Sequence, residues 1–211
     1  MDLRIGLCGA GGTGKGTLAR AFHEKHPEVK LIPSSVQHVG QIIAPNSENY
    51  KDIPTAFRPM FQDAILAVQG EAERTMAANG LSYISERSLV DFIPYMDRVL
   101  EEIFGRVDKD SHRSYVNRMK AYLQDTPYTN IFFIPADDFE PGDQSEADWK
   151  ERDPLERVKT NDSLKSLLQD IGLSTDITVT KLSGTVEERL AKMEAVLYPK
   201  KKGKKNSVTH G

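Results

Sequence analysis

The residues from Gly9 to Thr17, GAGGTGKGT, combine five glycines with one lysine. Glycine lets successive backbone N–H groups turn inward, so a loop of this kind can surround a phosphate group with hydrogen-bond donors. A helix that begins directly after the loop adds the positive end of its dipole at the same place. The lysine can then reach the β- and γ-phosphates of a nucleotide as a point charge. The spacing therefore predicts a site for the triphosphate of ATP with its Mg²⁺.

One position departs from the usual phosphate-loop (Walker A) pattern. A serine or threonine normally follows the lysine and ligates Mg²⁺, but this chain has Gly16 there and its hydroxyl one position later, at Thr17. We expect Thr17 to contact the metal ion, directly or through water. The predicted nucleotide-binding residues are Gly9, Gly11, Gly12, Thr13, Gly14, Lys15, Gly16 and Thr17.

Two other interpretations of this loop are weaker. It could be a glycine-rich turn that simply opens a helix, but an apolar run precedes it and a helical pattern follows it. It also satisfies the dinucleotide-binding spacing, yet Lys15 would crowd that ligand, and no acidic residue ends the second apolar run to hold a ribose. A nucleotide-phosphate loop is the interpretation that fits both flanks.

A second group of polar residues, Glu86, Arg87, Asp91 and Tyr95, follows the apolar run at 81–84. Residues just beyond the carboxyl ends of parallel strands face the ligand crevice, so Glu86 and Arg87 are expected beside the glycine-rich loop. A carboxylate there can hold Mg²⁺ through water or accept the proton of an attacking hydroxyl, and an arginine can neutralise a transferring phosphoryl group. The pair predicts phosphoryl transfer; a capped helix start with both side chains in solvent is the alternative.

The two motifs resemble those of known P-loop kinases. The glycine-rich loop resembles that of nucleoside monophosphate kinases, where glycine and then threonine commonly follow the lysine. Glu86-Arg87-Ser88 matches the Glu-Arg-Ser motif of deoxynucleoside kinases. Together with Asp91 and Tyr95, it also resembles the Asp-Arg-Ser pattern of nicotinamide riboside kinase-like, AAA-type P-loop proteins that are common in phages. The resemblance spans most of the chain.

The resemblance implies a role for each matching residue. Catalytic roles fall to Lys15, Glu86, Arg87 and Asp91, and the metal would lie at Thr17 and Glu86. The acceptor site would be lined by Asp91 and Tyr95. Deoxynucleoside kinases place a catalytic glutamate after the second strand, where this chain has Ser34, Ser35 and Gln37. Both Glu86 and Asp91 therefore remain candidates for the base.

Several arginines are candidates for binding substrate or for closing over phosphates. Phe57 and Arg58 lie in a proline-bounded segment, where related kinases have acceptor-binding loops. Arg113 and Arg118, in a segment near 105–125, and Arg152, in a long acidic segment at 135–152, are predicted lid residues. A solvated basic face is an equally good interpretation of Arg113 and Arg118.

The elements that must position these residues are five short apolar runs, at 3–8, 29–32, 81–84, 131–134 and 177–182. Helical apolar patterns separate them, which is typical of parallel βαβ units. The prediction is an α/β fold, a three-layer sandwich with a five-stranded, mainly parallel sheet. Residues 1–198 are expected to form one kinase domain, and the lysine-rich residues 199–211 a disordered tail.

Composition narrows the function further. The 211 residues carry a net charge of −3, so the whole molecule is not a general binder of polyanions. The single cysteine, Cys8, excludes an internal disulfide and a cysteine-based zinc cluster. No apolar run approaches the ~20 residues that span a bilayer, and the N-terminus resembles a first strand more than a signal peptide. We expect a cytoplasmic protein (host cytoplasm, if phage-encoded) without a membrane partner.

The expected function is an ATP-dependent kinase that phosphorylates a hydroxyl of a nucleoside, a nucleotide or a modified pyrimidine. The chain also looks similar to phage kinases that phosphorylate hydroxymethylpyrimidine bases within DNA, and the basic tail favours that alternative because lysines can contact the phosphate backbone. An alternative of another class is a P-loop ATPase that acts as a nucleotide-binding switch.

Overall fold

The computed structural model describes residues 2–45, 52–136, 154–174 and 176–199. The acidic segment from Asp137 to Asp148, the predicted lid residue Arg152 and residues 200–211 of the basic tail lie outside the described residues.

A single five-stranded sheet forms the centre of the described chain. Its strands are β1 (Arg4–Cys8), β2 (Lys30–Ile32), β3 (Tyr83–Ser85), β4 (Asn130–Phe133) and β5 (Thr178–Lys181). They lie in the order β2-β3-β1-β4-β5 and every neighbouring pair is parallel. The predicted α/β fold with a parallel five-stranded sheet is confirmed. Because β1 is central, the loop that follows it opens at the middle of the sheet's carboxyl edge.

Seven α-helices surround this sheet within the described residues. They are α1 (Lys15–Lys25), α2 (Ser35–Ile43), α3 (Arg58–Ala78), α4 (Ile93–Phe104), α5 (Lys109–Asp125), α6 (Pro154–Ser174) and α7 (Val186–Leu197). The spacing of Thr185 and Glu188, a threonine followed three residues later by a glutamate, predicts a capping box, and the structure has one at the start of α7.

Two local details differ from the sequence prediction. Helix α2 was not predicted; Ser34 caps it by accepting a hydrogen bond from the N–H of Val36 at 3.4 Å. The segment containing Phe57 and Arg58 is not an irregular loop, because a 3-10 turn, Thr55–Phe57, leads directly into α3 at Arg58. Val36, Val39 and Ile43 of α2 do recur at helical spacing, so the sequence carries a signal for this helix, whereas the three-residue turn Thr55–Phe57 is too short to show a period.

The helices form two layers, one on each face of the sheet. Ile5 and Leu7 of β1 pack with α1 and α7, in a core cluster that includes Phe22 and Met193. On the other face, Cys8 belongs to a larger cluster to which α2 to α6 contribute. Alternate residues of the central strand therefore serve opposite layers, as the pleat requires. No described helix is both long enough and apolar enough to cross a membrane.

Candidate active site

The glycine-rich loop takes a backbone conformation that most residues disfavour. Gly9, Gly12 and Gly14 have φ angles of 155°, 76° and 82°. A Cβ atom on Gly9 would lie 2.4 Å from the carbonyl oxygen of Ile134, so only glycine fits there without a backbone shift. Gly14 is the left-handed N-cap of α1, and Lys15 is the first residue of that helix. The loop and the helix N-terminus thus adjoin as the anion-binding arrangement requires.

Lys15 lies against the loop and is only 7% exposed. Its Nζ donates hydrogen bonds to the carbonyl oxygens of Gly9 and, at 2.9 Å, Ala10. The same nitrogen lies 3.6 Å from Oδ2 of Asp91. Burial lowers the pKa of Lys15, and the charge of Asp91 opposes that change. The ammonium group is thus desolvated and held at the loop, where it adds charge to the main-chain donors.

Asp91 is completely buried and joins the loop to the segment after β3. Its Oδ1 accepts hydrogen bonds from the N–H of Gly9, at 2.9 Å, and from the thiol of Cys8, at 3.3 Å. Its Oδ2 lies 3.4 Å from Nε of Arg87. Burial and the neighbouring Asp91 raise the pKa of the Cys8 thiol, which keeps it protonated as a donor. Asp91 therefore contacts the loop backbone at Gly9 and the cationic side chains of Lys15 and Arg87.

Glu86 is half-buried and extends over the first turn of α1. Its backbone N–H donates to the carbonyl oxygen of Ile32 at 2.9 Å, and its Oε2 accepts from the N–H of Ser34 at 3.4 Å. A Cβ atom on Gly16 would lie 2.6 Å from Oε1 of Glu86. The carboxylate thus lies against the position that carries serine or threonine in the usual pattern, so a side chain there would displace it.

Arg87 is held in a fixed orientation by aromatic residues. Its guanidinium group donates a hydrogen bond to the hydroxyl of Tyr95 at 3.1 Å and lies 4.8 Å from the centroid of that ring. The ring of Phe92 is 5.8 Å away. Cation–π contacts of this kind strengthen when the cation is partly desolvated, and Arg87 is 15% exposed. The structure therefore brings Lys15, Glu86, Arg87, Asp91 and Tyr95 together at the loop.

Metal ligands can come from two residues at this place. Thr17 is exposed in the first turn of α1, and Glu86 covers that same turn. Hydroxyl and carboxylate oxygens are the donors that Mg²⁺ prefers. Among the described residues no group of three or more His, Cys, Asp or Glu side chains forms a metal site by itself. The two side chains therefore fit a metal ion whose remaining ligands are nucleotide phosphates and water.

Phe57 directly precedes α3, and Arg58 is the first residue of that helix. Phe57 is 52% exposed and lines an apolar cavity of about 130 Å³ with Ile43 and Met60 among its walls. Arg58 donates to the carbonyl oxygen of Ile53 at 3.1 Å and forms an ion pair with Glu102. Their role as acceptor-binding residues stays a prediction.

The predicted lid arginines Arg113 and Arg118 both lie on α5. Each forms a surface ion pair, with Asp110 at 3.4 Å and with Asp63 respectively. The opposite face of α5 is buried through Tyr115 and Met119. Their role in a lid stays a prediction.

One residue at the loop was missed by the sequence analysis. Arg189 of α7 is 2% exposed, and its guanidinium group donates to the carbonyl oxygen of Thr13 at 3.0 Å. It also lies 3.6 Å from where a Cβ on Gly14 would be. The capping box predicted the start of α7, but no local pattern showed that its first turn would lie against the loop.

Comparisons with known proteins identify a family by sequence and a shared fold by structure. A family model described as AAA domain matches residues 4–189. A search of curated proteins gives no significant match. Among solved structures, deoxyadenosine kinase from M. mycoides, with products dCMP and dCDP, is similar at 13% identity and a TM-score of 0.65, covering 92% of this chain and 98% of the other.

Two further structures are similar. NadR in complex with NR has 14% identity and a TM-score of 0.64; the match covers 92% of this chain and 50% of NadR. Thymidylate kinase from Candida albicans has 13% identity and a TM-score of 0.56, with 93% and 91% of the two chains covered. At these identities the likeness establishes the fold. The chain belongs to the AAA domain family of P-loop NTPases, and its fold is that of nucleoside and nucleotide kinases.

Proposed function

We propose that this protein is a kinase that transfers the γ-phosphate of ATP to a hydroxyl group of a nucleoside, a nucleotide or a modified pyrimidine. One observation carries the proposal: Lys15 of the phosphate loop and Arg87 lie on the same carboxylate, Asp91, at 3.6 Å and 3.4 Å. Two cations thus meet at one buried carboxylate beside the loop. Phosphoryl transfer depends mainly on such positioning and charge neutralisation.

The nucleotide would be held by the loop. The main-chain donors from Gly9 to Gly16 and the N-terminus of α1 would bind the phosphates, and Lys15 would move from the loop carbonyls to the β- and γ-oxygens. Thr17 and Glu86 are the proposed ligands of Mg²⁺, whose contribution when bound is to neutralise phosphate charge.

Glu86 is a better candidate than Asp91 for the carboxylate that accepts the proton of the acceptor hydroxyl or ligates the metal. It is half-buried, and its carboxylate reaches the exposed first turn of α1. Asp91 is fully buried and already engages Gly9, Cys8 and two cations. We therefore assign Asp91 to orienting Lys15 and Arg87, with Tyr95 holding Arg87 at the acceptor side.

Two of the similar structures favour a nucleoside among the acceptor classes, because one is a deoxyadenosine kinase and the other is NadR in complex with NR.

The test is a transfer assay with Mg-ATP labelled at the γ-phosphate, against deoxynucleosides, ribonucleosides including nicotinamide riboside, hydroxymethylpyrimidine nucleosides, and the monophosphates of all three groups. We expect labelled product from at least one nucleoside, and faster transfer to nucleosides than to monophosphates. The Lys15→Ala variant controls for contaminating kinases. A wild-type protein that labels nothing in the panel would contradict the proposal.

Two alternatives give different results in the same assay. Label that enters only duplex DNA containing hydroxymethylpyrimidines, and that declines when residues 200–211 are removed, would identify DNA-borne bases as the acceptor; the lysine-rich tail favours this outcome. Steady release of inorganic phosphate without any labelled acceptor would identify an ATPase switch, for which the shared P-loop fold is the supporting observation.

A further inference from the structure

A buried carboxylate outside the site, that of Glu73 in the C-terminal half of α3, is hydrogen-bonded to the segment that carries Glu86 and Asp91. Glu73 is 0% exposed. Its Oε1 accepts hydrogen bonds from the hydroxyl of Ser85 at 2.6 Å and from the hydroxyl of Tyr128 at 2.9 Å. Ser85 is bonded in sequence to Glu86, and the hydroxyl of Tyr128 accepts a hydrogen bond from the N–H of Leu89, two residues before Asp91.

The first connection runs through the end of β3. Ser85 is the last residue of β3 and directly precedes Glu86. Its hydroxyl also accepts a hydrogen bond from the side-chain amide of Gln69 at 2.8 Å. Gln69 in turn accepts from the backbone N–H of Ser35 at 3.0 Å, next to Ser34, whose own N–H meets Glu86. Glu86 is therefore bounded on two sides by groups tied to α3.

The second connection runs to the segment that carries Asp91. While the hydroxyl of Tyr128 donates to Glu73, it accepts the backbone N–H of Leu89 at 2.9 Å. Leu89 begins the 3-10 helix Leu89–Phe92, in which Asp91 is the third residue. One carboxylate thus fixes both the start and the middle of the segment from 85 to 91.

A carboxyl group in this place is costly for the fold. Burial raises the pKa of Glu73 to about 7, although the hydrogen bonds from Ser85, Tyr128 and Gln69 oppose that rise. The pKa of the nearby Tyr83 phenol is also raised. Burial is the main cause and the charge of Glu73 the second, while the charge of Arg4 lowers it. Apolar packing would stabilise α3 without this penalty. Retaining a fully buried acid is therefore better explained by the groups that it holds.

We propose that Glu73 is a positioning residue for phosphoryl transfer, which fixes the backbone from Ser85 to Asp91 through the hydroxyls of Ser85 and Tyr128. It touches neither nucleotide nor acceptor and acts by setting where Glu86 and Asp91 lie. The kinetic part of this inference rests on the proposed function; the structural part does not.

Amide hydrogen exchange of the peptide covering 85–92 tests the structural part. The variants are Glu73→Ala, Glu73→Gln and Tyr128→Phe, and the matched control is Tyr115→Phe. Tyr115 is buried like Tyr128, and its hydroxyl donates to the carbonyl oxygen of Gln62 at 3.2 Å, so the control variant also removes one buried hydroxyl. We expect exchange at 85–92 to rise at least tenfold in Glu73→Ala and Tyr128→Phe, and less than twofold in Tyr115→Phe.

Steady-state kinetics with Mg-ATP and the fastest nucleoside of the panel tests the catalytic part. We expect kcat to fall tenfold or more in Tyr128→Phe and Glu73→Ala, while KM for ATP changes less than threefold, because the phosphate loop is unaltered. Glu73→Gln keeps an acceptor oxygen of the same shape and should retain kcat within threefold at pH 7.

The outcomes separate the two proposals. Equal exchange and equal kcat in Tyr128→Phe and Tyr115→Phe would overturn the role of Glu73, even in an active kinase. If Glu73→Ala does not fold, Tyr128→Phe decides alone. If the wild-type protein phosphorylates no acceptor, the proposed function fails, while the exchange data still decide whether Glu73 orders the segment.

Discussion

The phosphate loop and the segment from Glu86 to Asp91 lie side by side, but they are held in different ways. The loop depends on main-chain geometry within nine consecutive residues, with positive φ at three of its glycines. The segment depends on side chains from distant elements, because Tyr128 fixes Leu89 from 39 positions away and Ser34 and Ile32 contact Glu86 from the other side. Substitutions should therefore act locally in the loop and at long range in the segment.

The contrast has one exception, since Arg189 holds the carbonyl of Thr13 from 176 positions away in the chain. The loop's shape is local, but its attachment to α7 is not. Main-chain geometry sets the shape of the proposed phosphate site, and a tertiary contact holds it in place.

The largest expected effect is that of Lys15→Ala. The variant removes the ammonium group that would neutralise the transferring phosphate, so we expect kcat to fall about 1,000-fold, or about 4 kcal/mol. The melting temperature should change little, because Asp91 keeps Arg87 and the N–H of Gly9 as partners. Kinetics and thermal melting check both parts; a variant with near-normal turnover would show that the loop does not bind the reacting phosphate.

The pH dependence of stability should distinguish Glu73 from a surface carboxylate. Its folded-state pKa of about 7 lies above the ordinary value of 4.5, so the folded protein binds this proton more tightly. Its contribution to the free energy of unfolding is therefore full below pH 4.5 and declines as pH rises to 7, by about 3 kcal/mol. Glu73→Gln should lack this decline when urea denaturation is compared at pH 5 and pH 8.

The control for that measurement is Glu71→Gln, an exposed position on the same helix. It should keep the pH dependence of the wild-type protein. Parallel stability curves for the wild-type protein and Glu73→Gln would show that the buried carboxylate does not take up a proton on folding.

A smaller effect is expected where the loop and the segment touch. In Gly16→Ala the new methyl group would meet Oε1 of Glu86, which lies 2.6 Å from the Cβ position, and the flexible carboxylate would move. We expect kcat to fall about tenfold, or about 1.4 kcal/mol, with little loss of stability. Gly172→Ala is the control, because its Cβ would lie at an ordinary 3.7 Å from Val179. Equal kcat values in Gly16→Ala and Gly172→Ala would show that the position of the Glu86 carboxylate does not affect catalysis.

The smallest effect on stability is expected for Arg113→Ala. Its ion pair with Asp110 is exposed, with side chains 70% and 91% accessible, so the loss should be below about 0.5 kcal/mol. A large fall in kcat at unchanged stability would identify Arg113 as a lid residue. Lys165→Ala, which breaks a comparable surface pair on α6, supplies the baseline for both measurements.

The sequence by itself determined the elements whose signals are local. Glycine spacing located the phosphate loop, the apolar runs located five strands to within two residues, and the Thr185–Glu188 box located the start of α7. Helix α2 was not predicted although Val36, Val39 and Ile43 recur at helical spacing, because its nine residues are fewer than the window of about 11–18 over which such periodicity indicates a helix. These signals can be recognised in the sequence because each comes from residues of a single turn or strand, which are neighbours both in the sequence and in space.

Only the tertiary structure decided which side chains act together. Nothing near Glu73 or Arg189 in the sequence indicates that one is tied to β3 and the other to the phosphate loop, since both are ordinary charged residues on predicted helices. The close contact at Gly16 likewise depends on Glu86, which follows the neighbouring strand β3 and lies 70 positions away in the sequence. The physical reason is that burial and hydrogen-bond partners are set by how helices pack on the sheet, and helix periodicity specifies a buried face but not the residues it will meet.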